Sequence, residues 1–213
     1  MFKDVVIIGA GAAGLMCAIE AGKRGRKVIL VDAAHKLAEK IRISGGGRCN
    51  FTNRYARAEN FLSSNTNFRR AALARFTPID VIALFERLGI RYHEKKLGQL
   101  FCDDSSQQII DMLQDECQAV NVEWQISSQI GQIEYLPGNA GVQKAGHKFL
   151  LTTERNILET TSLVIATGGL SIPQIGASAF GYQVANQFNI RVTPLRPALV
   201  GLTFPTEDFA GFK

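Results

Sequence analysis

The sequence is short of the residues that staple, ligate or anchor a chain. Its four cysteines, Cys17, Cys49, Cys102 and Cys117, include no CxxC pair, so neither a zinc knuckle nor a thioredoxin-like dithiol is indicated. Scattered single thiols suit a reducing compartment. The three histidines, His35, His93 and His147, stand apart from one another, and none reads as a metal ligand. No apolar run approaches the roughly 18 residues of a membrane span. The first apolar stretch, Val5 to Gly14, follows Asp4 and is broken by glycine, which is not the form of a secretory signal. No GxSxG elbow, HExxH pair, Walker A loop or EF-hand loop occurs. These absences leave a soluble, cytoplasmic protein with no membrane partner and no resident metal as the expectation.

What is present is an ordinary globular balance with an excess of glycine. Of 213 residues, 46% are hydrophobic and 20% are charged, and 20 are glycine. Mean hydropathy is +0.03. A chain of this length buries a sizeable core without disulfides or metals. The net charge is +5. Its densest basic run, Lys23, Arg24, Arg26 and Lys27, falls at the expected end of a helix, where cations meet the negative end of the dipole. With that run explained locally, no nucleic-acid partner is expected.

The first 32 residues carry the strongest pattern. Val5-Val-Ile-Ile8 is a short β-branched run of the kind buried on both faces of a parallel sheet. Gly9-Ala10-Gly11-Ala12-Ala13-Gly14 follows, then a helical stretch to Lys23, then a strand from Lys27 to Val31 closed by Asp32. This is a βαβ unit with GxGxxG in its turn. Gly9 permits the tight turn, Gly11 lets a pyrophosphate approach the backbone, and Gly14 lets helix and strand pack closely. The helix N-terminus points free N–H groups at the phosphates. Asp32 can accept hydrogen bonds from a ribose diol and would repel a 2′-phosphate. The context indicates a dinucleotide and leaves NAD and FAD open.

The second pattern is Lys40-Ile-Arg-Ile-Ser44-Gly45-Gly46-Gly47-Arg48-Cys49-Asn50-Phe-Thr52-Asn53. Three successive glycines disfavour helix and strand, so a loop is expected here, with backbone exposed to something flat or bulky. Its N–H groups can form an anion-binding nest. Cys49 is expected to be a small packing residue, with a reactive thiol as the sharper alternative.

Together, the Gly9–Gly14 turn and the Ser44–Asn53 loop resemble the BaiN/YhiN-type (HI0933-like) flavoproteins, within the wider glutathione-reductase-like FAD superfamily. The resemblance implies a Rossmann-like α/β FAD-binding domain with a small antiparallel β-meander. It implies that the first turn, with Asp32 and Ala33, holds the ADP half of FAD. It implies further that Lys40, Ser44 and the glycine triplet lie along the pyrophosphate and flavin end, with Arg48, Cys49, Asn50 and Thr52 near the isoalloxazine. Backbone near Ile130 is expected at the adenine. Leu163-Val-Ile-Ala166-Thr167-Gly168-Gly169 resembles the superfamily's second FAD motif, in which a strand end passes close to the cofactor.

Between these motifs, helices are expected over Asn67–Arg75, Ile79–Leu88 and Ser105–Val120. A hairpin is expected around Lys96-Leu97-Gly98, with a short strand over Val122–Ile126. Strands Gln132–Leu136, Lys148–Thr153 and Asn156–Glu159 form the meander, with turns at Asn139 and Gly141. A last helix covers Gly181–Phe188, and Asn189 stands where relatives often carry glycine, so a left-handed residue is expected there. His93, beside Tyr92 and Glu94, is a weak candidate for catalysis.

Residues 1–193 are expected to form the FAD domain and 194–213 to begin an inserted second domain. Arg196-Pro-Ala-Leu-Val-Gly-Leu202 resembles that domain's start, and relatives of about twice this length would make the chain an N-terminal fragment. Leu199, Val200, Leu202 and Phe204 would then be left as exposed apolar surface. The expected activity is a flavin oxidoreductase reduced by NAD(P)H or by substrate, acting on a small molecule. The catalytic acid or base and the oligomeric state stay open. The alternatives are an inactive fragment with weak or no FAD binding and an RNA-modifying flavoprotein relative.

Overall fold

The computed structural model describes residues 1–63, 65, 67–138, 146 and 148–197. The turn at Asn139 and Gly141, His147, and the apolar group Leu199, Val200, Leu202 and Phe204 lie outside them. The chain divides into two units, Met1–Gly181 and Tyr182–Lys213.

The first unit is a Rossmann-like α/β domain. Strand β1 (Phe2–Ile8), helix α1 (Ala12–Lys23) and strand β2 (Val28–Asp32) form the opening βαβ unit. Helix α2 (Glu39–Ile43) leads into the glycine triplet, and strand β3 (Asn50–Asn53) leaves it. Helices α3 (Arg70–Arg75) and α4 (Pro78–Arg87) follow, then the hairpin β4 (Tyr92–Glu94) and β5 (Gln99–Cys102). Helix α5 (Gln107–Ala119) returns to the main sheet, followed by β6 (Glu123–Ile126), β7 (Ile130–Leu136), β8 (Lys148–Thr153) and β9 (Ile157–Ile165).

The main sheet has the order β6-β2-β1-β9-β8-β7. β6, β2, β1 and β9 run parallel, while β7 and β8 add an antiparallel extension. β9 joins the two parts. The strands expected separately at Asn156–Glu159 and from Leu163 onward are one continuous strand. Its start pairs antiparallel with β8 (Leu151 opposite Leu158), and its remainder pairs parallel with β1 as far as Ile8 opposite Ile165. The intervening Thr160-Thr161-Ser162 looks like a polar break in sequence. Thr160 is nevertheless fully buried, its hydroxyl hydrogen-bonded to Asp4 O at 3.0 Å, so the strand crosses the core without an unpaired polar group.

The core lies between the parallel strands and the helices α1 and α5. Ile7 and Leu30 sit side by side on β1 and β2, both fully buried. Leu15, Ala18 and Ile19 of α1 and Ile109, Ile110, Leu113 and Cys117 of α5 close over them. Gly22 of α1 packs closely on Val120 at the end of α5, since a Cβ on Gly22 would stand 2.4 Å from Val120 Cγ2. α4 begins at a capping box: the Thr77 N–H donates to Asp80 Oδ2 at 2.7 Å, with Pro78 in the first turn.

β5 does more than form the expected hairpin. It also pairs with β3, giving a second sheet of order β3-β5-β4. Phe51 from this sheet stacks on Phe85 of α4, centroids 3.9 Å apart. The second unit carries most of α6 (Phe180–Gln187), and Asn189 follows with φ 54°, the left-handed conformation expected of it.

Truncating Leu30 leaves a cavity between two strands and two helices. Leu30→Ala is expected to lower stability by about 2–5 kcal/mol, measured as a shift of the denaturant midpoint. A loss under about 1 kcal/mol would mean that this part of the core collapses freely.

Candidate functional site

Because β1, β2, β6 and β9 are parallel, their C-terminal ends share one edge. Chain order reverses between β1 and β9: one connection runs towards β2 and the other arrives from the opposite side. In open α/β sheets such a switch point leaves a crevice beyond the strand ends. Gly9–Gly14, Asp32–Ala33, the turn before Ile130, and Ala166–Gly169 all follow directly from these ends.

The first turn is held by backbone contact. A Cβ on Gly9 would lie 2.4 Å from Ala166 O, and one on Gly14 would lie 1.8 Å from Gly9 O. Gly9 also has φ 111°. These glycines are therefore required by the protein itself, whatever binds. Gly11 differs. A Cβ there would meet nothing within 4 Å. It is the N-cap of α1 and gives no side-chain cap, and Ala12 and Ala13 beside it are exposed. The N–H groups of a first helical turn without a cap form an electropositive end open to an anion.

Asp32 fastens this turn to β2. Its Oδ2 accepts from Ala10 N at 2.5 Å and its Oδ1 accepts from Ala34 N at 2.8 Å. Each oxygen keeps a further lone-pair direction, so a ribose hydroxyl can still be received. Beyond it, Ser127 N donates to Ala34 O, Ser128 N donates to Asp32 O, and His35 Nδ1 lies 2.8 Å from Ser127 Oγ. Ile130 is thus brought close to the Asp32–Ala33 turn.

On the other side, Ala38 N donates to Ala10 O, so α2 starts against the first turn. Lys40 Nζ lies 3.6 Å from the Cβ position of Gly168, which joins Lys40 to the β9 end. The Thr167 hydroxyl is buried without a hydrogen-bond partner among the described residues. An orphaned hydroxyl, an uncapped helix end, an open face at Gly11 and an ammonium at the lip form a donor set suited to a dinucleotide pyrophosphate.

The expected loop of residues 40–53 is more ordered than a loop. α2 runs into a left-handed turn with φ of 59°, 69° and 88° at Gly45, Gly46 and Gly47. Three successive residues of this hand explain the three glycines, since each L-residue there costs roughly 1–2 kcal/mol. Carbonyls in and around the turn are bonded to the protein. Ser44 O accepts from Cys49 N, Gly47 O from Ser106 N and Arg48 O from Cys102 N. Phe101 lies under Gly45, its Cε1 2.6 Å from the Cβ position. Asn50 and Thr52 follow on β3. Among the described residues, Arg48, Asn50 and Thr52 make no hydrogen bond to the Gly9–Gly14 turn or to Ala166–Gly169.

Cys49 is buried in the core with φ 51°. Burial pushes its thiol up, against a smaller opposing effect from a hydrogen bond with Ser44. Cys102 beside it is pushed up to about 12 by burial and then by Cys49, Asp103 and Asp104. Burial also raises Cys117 to about 11. These thiols stay protonated at neutral pH, in keeping with a packing role. His93 is exposed, with Nδ1 2.8 Å from Asp103 Oδ1 and its ring stacked towards Phe101 at 6.3 Å.

Sequence reasoning passed over the segment between β3 and α4, which holds five arginines, Arg54, Arg57, Arg69, Arg70 and Arg75, and a single acid, Glu59. Summing charge over shorter windows would have found it.

Among the described residues, no helix is long and apolar enough to cross a membrane. The model of the HI0933-like protein Rossmann domain matches residues 3–205. A ribosomal RNA dihydrouridine synthase of Escherichia coli K12 is 50% identical over 94% of this chain and 48% of its own length. One of Haemophilus influenzae is 43% identical over 97% and 50%. A 3-dehydro-bile acid delta(4,6)-reductase of Clostridium scindens is 24% identical over 96% and 48%. The chain thus spans about half the length of the curated relatives it matches. Among solved structures, a flavocytochrome c3 fumarate reductase in an open conformation superposes with a TM-score of 0.62 at 20% identity, over 87% of this chain and 40% of that one, a likeness of fold. Two expectations fall here. A small-molecule substrate and the absence of a nucleic-acid partner are both overturned by the two relatives named for ribosomal RNA.

The raised thiols give a pH dependence. A thiol whose folded value lies above the ordinary 9.0 holds its proton more tightly folded than unfolded. Its contribution is complete below about pH 9 and is lost as pH rises towards 11–12. The denaturant midpoint is expected to fall between about pH 8 and about pH 10.5, and Cys102→Ala to lessen that fall. A flat profile would contradict the burial of these thiols.

Proposed function

The chain belongs to the HI0933-like family, and from that membership we propose that it binds FAD and serves a reductase that saturates uracil in ribosomal RNA. The observation that carries this reading is 50% and 43% identity, over 94% and 97% of the chain, to ribosomal RNA dihydrouridine synthases. The names of the relatives share a chemistry. Uracil's 5,6 double bond is conjugated to a carbonyl, and so are the Δ4,6 double bonds of a 3-oxo steroid. Both accept a hydride at the far carbon of the conjugated system and a proton nearer the carbonyl.

A bound flavin would supply that hydride, with NAD(P)H as its reductant. The chain's own groups would bind and orient it. The N–H groups of Ala12, Ala13 and Gly14 would hold the pyrophosphate, with Gly11 giving access and Asp32 receiving the ribose. Ala33 and the backbone at Ile130 would border the adenine. Lys40, Ser44 and the Gly45–Gly47 turn would line the path towards the flavin ring, where Arg48, Cys49, Asn50 and Thr52 would flank it. Ala166–Gly169 would pass beneath, with the Thr167 hydroxyl finding the partner it lacks. Residues 1–193 would form this cofactor domain and 194–213 would open a second one. A ribosomal RNA substrate is in keeping with a cytoplasmic protein.

The test is mass spectrometry of ribosomal RNA after incubation with the purified protein, flavin and NADH or NADPH. A uridine gaining two hydrogens is expected, and unmodified RNA beside a flavin that is oxidised by nothing but oxygen would overturn the reading. Gly11→Val gives a second test. Its side chain meets open space, so the protein is expected to fold with its normal melting temperature while flavin affinity drops at least about tenfold by crowding of the pyrophosphate. Unchanged affinity would remove the pyrophosphate from this turn.

A further inference from the structure

Residues 54–63 and 67–76 are unlike the rest of the chain. They carry Arg54, Arg57, Arg69, Arg70 and Arg75 against Glu59, a local net charge of +4 beside +5 for the whole sequence. Aromatic rings are interspersed among these arginines and exposed: Tyr55 is 59% exposed and Phe68 80%, and Phe61 and Phe76 are also exposed. Rings buried elsewhere in the protein pack on one another; these do not cover a core.

The segment is nevertheless held in place. Arg54 N donates to Gly98 O at 2.8 Å and Asn53 Nδ2 donates to Leu97 O at 2.8 Å. Tyr55 rests on Gly98, whose Cβ position is 2.5 Å from Tyr55 Cδ2. These contacts set Arg54 and Tyr55 against the hairpin tip with its exposed Lys95 and Lys96. Arg69 Nε donates to Ala58 O and joins the two halves of the segment, while one Nη of Arg69 is buried without a partner. Arg54 has an ion pair with Glu94, at 3.3 Å. Among the described residues no carboxylate pairs with Arg57, Arg70 or Arg75.

We propose that this segment, with the hairpin tip, is a docking surface for single-stranded RNA, an inference that rests on the ribosomal RNA reading above. Unpaired guanidinium groups meet phosphates through bidentate hydrogen bonds and release counterions. Exposed rings between them provide stacking faces for unpaired bases, which a duplex keeps covered. An acidic protein partner would use the charge but not the separated rings. The segment starts directly after β3, the strand that leaves the glycine triplet, so RNA held here lies a short stretch of chain from the proposed flavin site.

The test uses the purified protein and a fluorescein-labelled single strand of about 20 nucleotides, titrated between about 50 and 200 mM salt. Arg57→Ala, Arg70→Ala and Arg75→Ala combined are expected to reduce the log–log salt slope by about 2 and to weaken binding more than about tenfold. Phe68→Ala is expected to cost about tenfold with the slope unchanged. Flavin content and melting temperature are expected to match the parent, as is RNA binding by a control carrying Arg26→Ala and Lys27→Ala. If the triple variant binds RNA and forms dihydrouridine like the parent, the surface is wrong and the ribosomal RNA reading stands. If the parent forms no dihydrouridine and binds no RNA, the reading falls and the surface with it. Preference for duplex RNA, or binding to phosphatidylserine vesicles in place of RNA, would also overturn the surface.

Discussion

The structure depends on a meeting of three stretches of backbone at Gly9. The end of β9 passes so close that Ala166 O occupies the place of a Gly9 side chain, while Gly14 of α1 presses on Gly9 O from the other side. Gly9 N donates to Val31 O and Ala166 N donates to Ile8 O, so both neighbours of β1 are fastened at the same point. No side chain can be added there without moving main chain. That constraint fixes where α1 starts, and hence where its uncapped N–H groups point.

Asp32 shows how one side chain can serve structure and site together. Its carboxylate bonds to two backbone N–H groups, one in the glycine turn and one in its own turn. Charge-assisted bonds of this kind are roughly twice as strong as neutral ones. The group that would orient a ribose is itself held rigid by the turn that would hold the phosphates. Pre-orientation lowers the entropy lost when a ligand binds.

Much of this was legible in the sequence because it depends on glycine and on period-two apolar runs. Gly9, Gly14 and Gly45–Gly47 each mark a backbone that admits no other residue at low cost. The left-handed Asn189 was legible for a similar local reason. What escaped were pairings between distant segments. Nothing local says that Thr160 is buried, that β9 continues through the polar Thr160-Thr161-Ser162, or that β3 borders β5. Those outcomes follow from Asp4 O accepting the Thr160 hydroxyl and from Phe51 stacking on Phe85. The mixture of Arg with Phe and Tyr over residues 54–76 was visible in the letters, but the exposure of the rings was not.

The proposed cofactor turn and the proposed RNA surface use opposite electrostatics. At the first turn, the protein offers backbone dipoles on rigid elements, with few full charges. Fixed N–H groups carry little desolvation cost and suit a small ligand held in one pose. Along residues 54–63 and 67–76 it offers charged arginines on short, exposed pieces of structure. Such groups keep their hydration until a polyanion arrives, and they tolerate a ligand that slides or varies in sequence. Under the proposed function, a rigid dipolar turn would hold one cofactor while a separate cationic surface would receive a large nucleic acid. Placing the arginines inside the cradle would have imposed the desolvation cost of burying charge. Placing the dipolar turn out on the segment would have left it without the sheet that keeps it rigid.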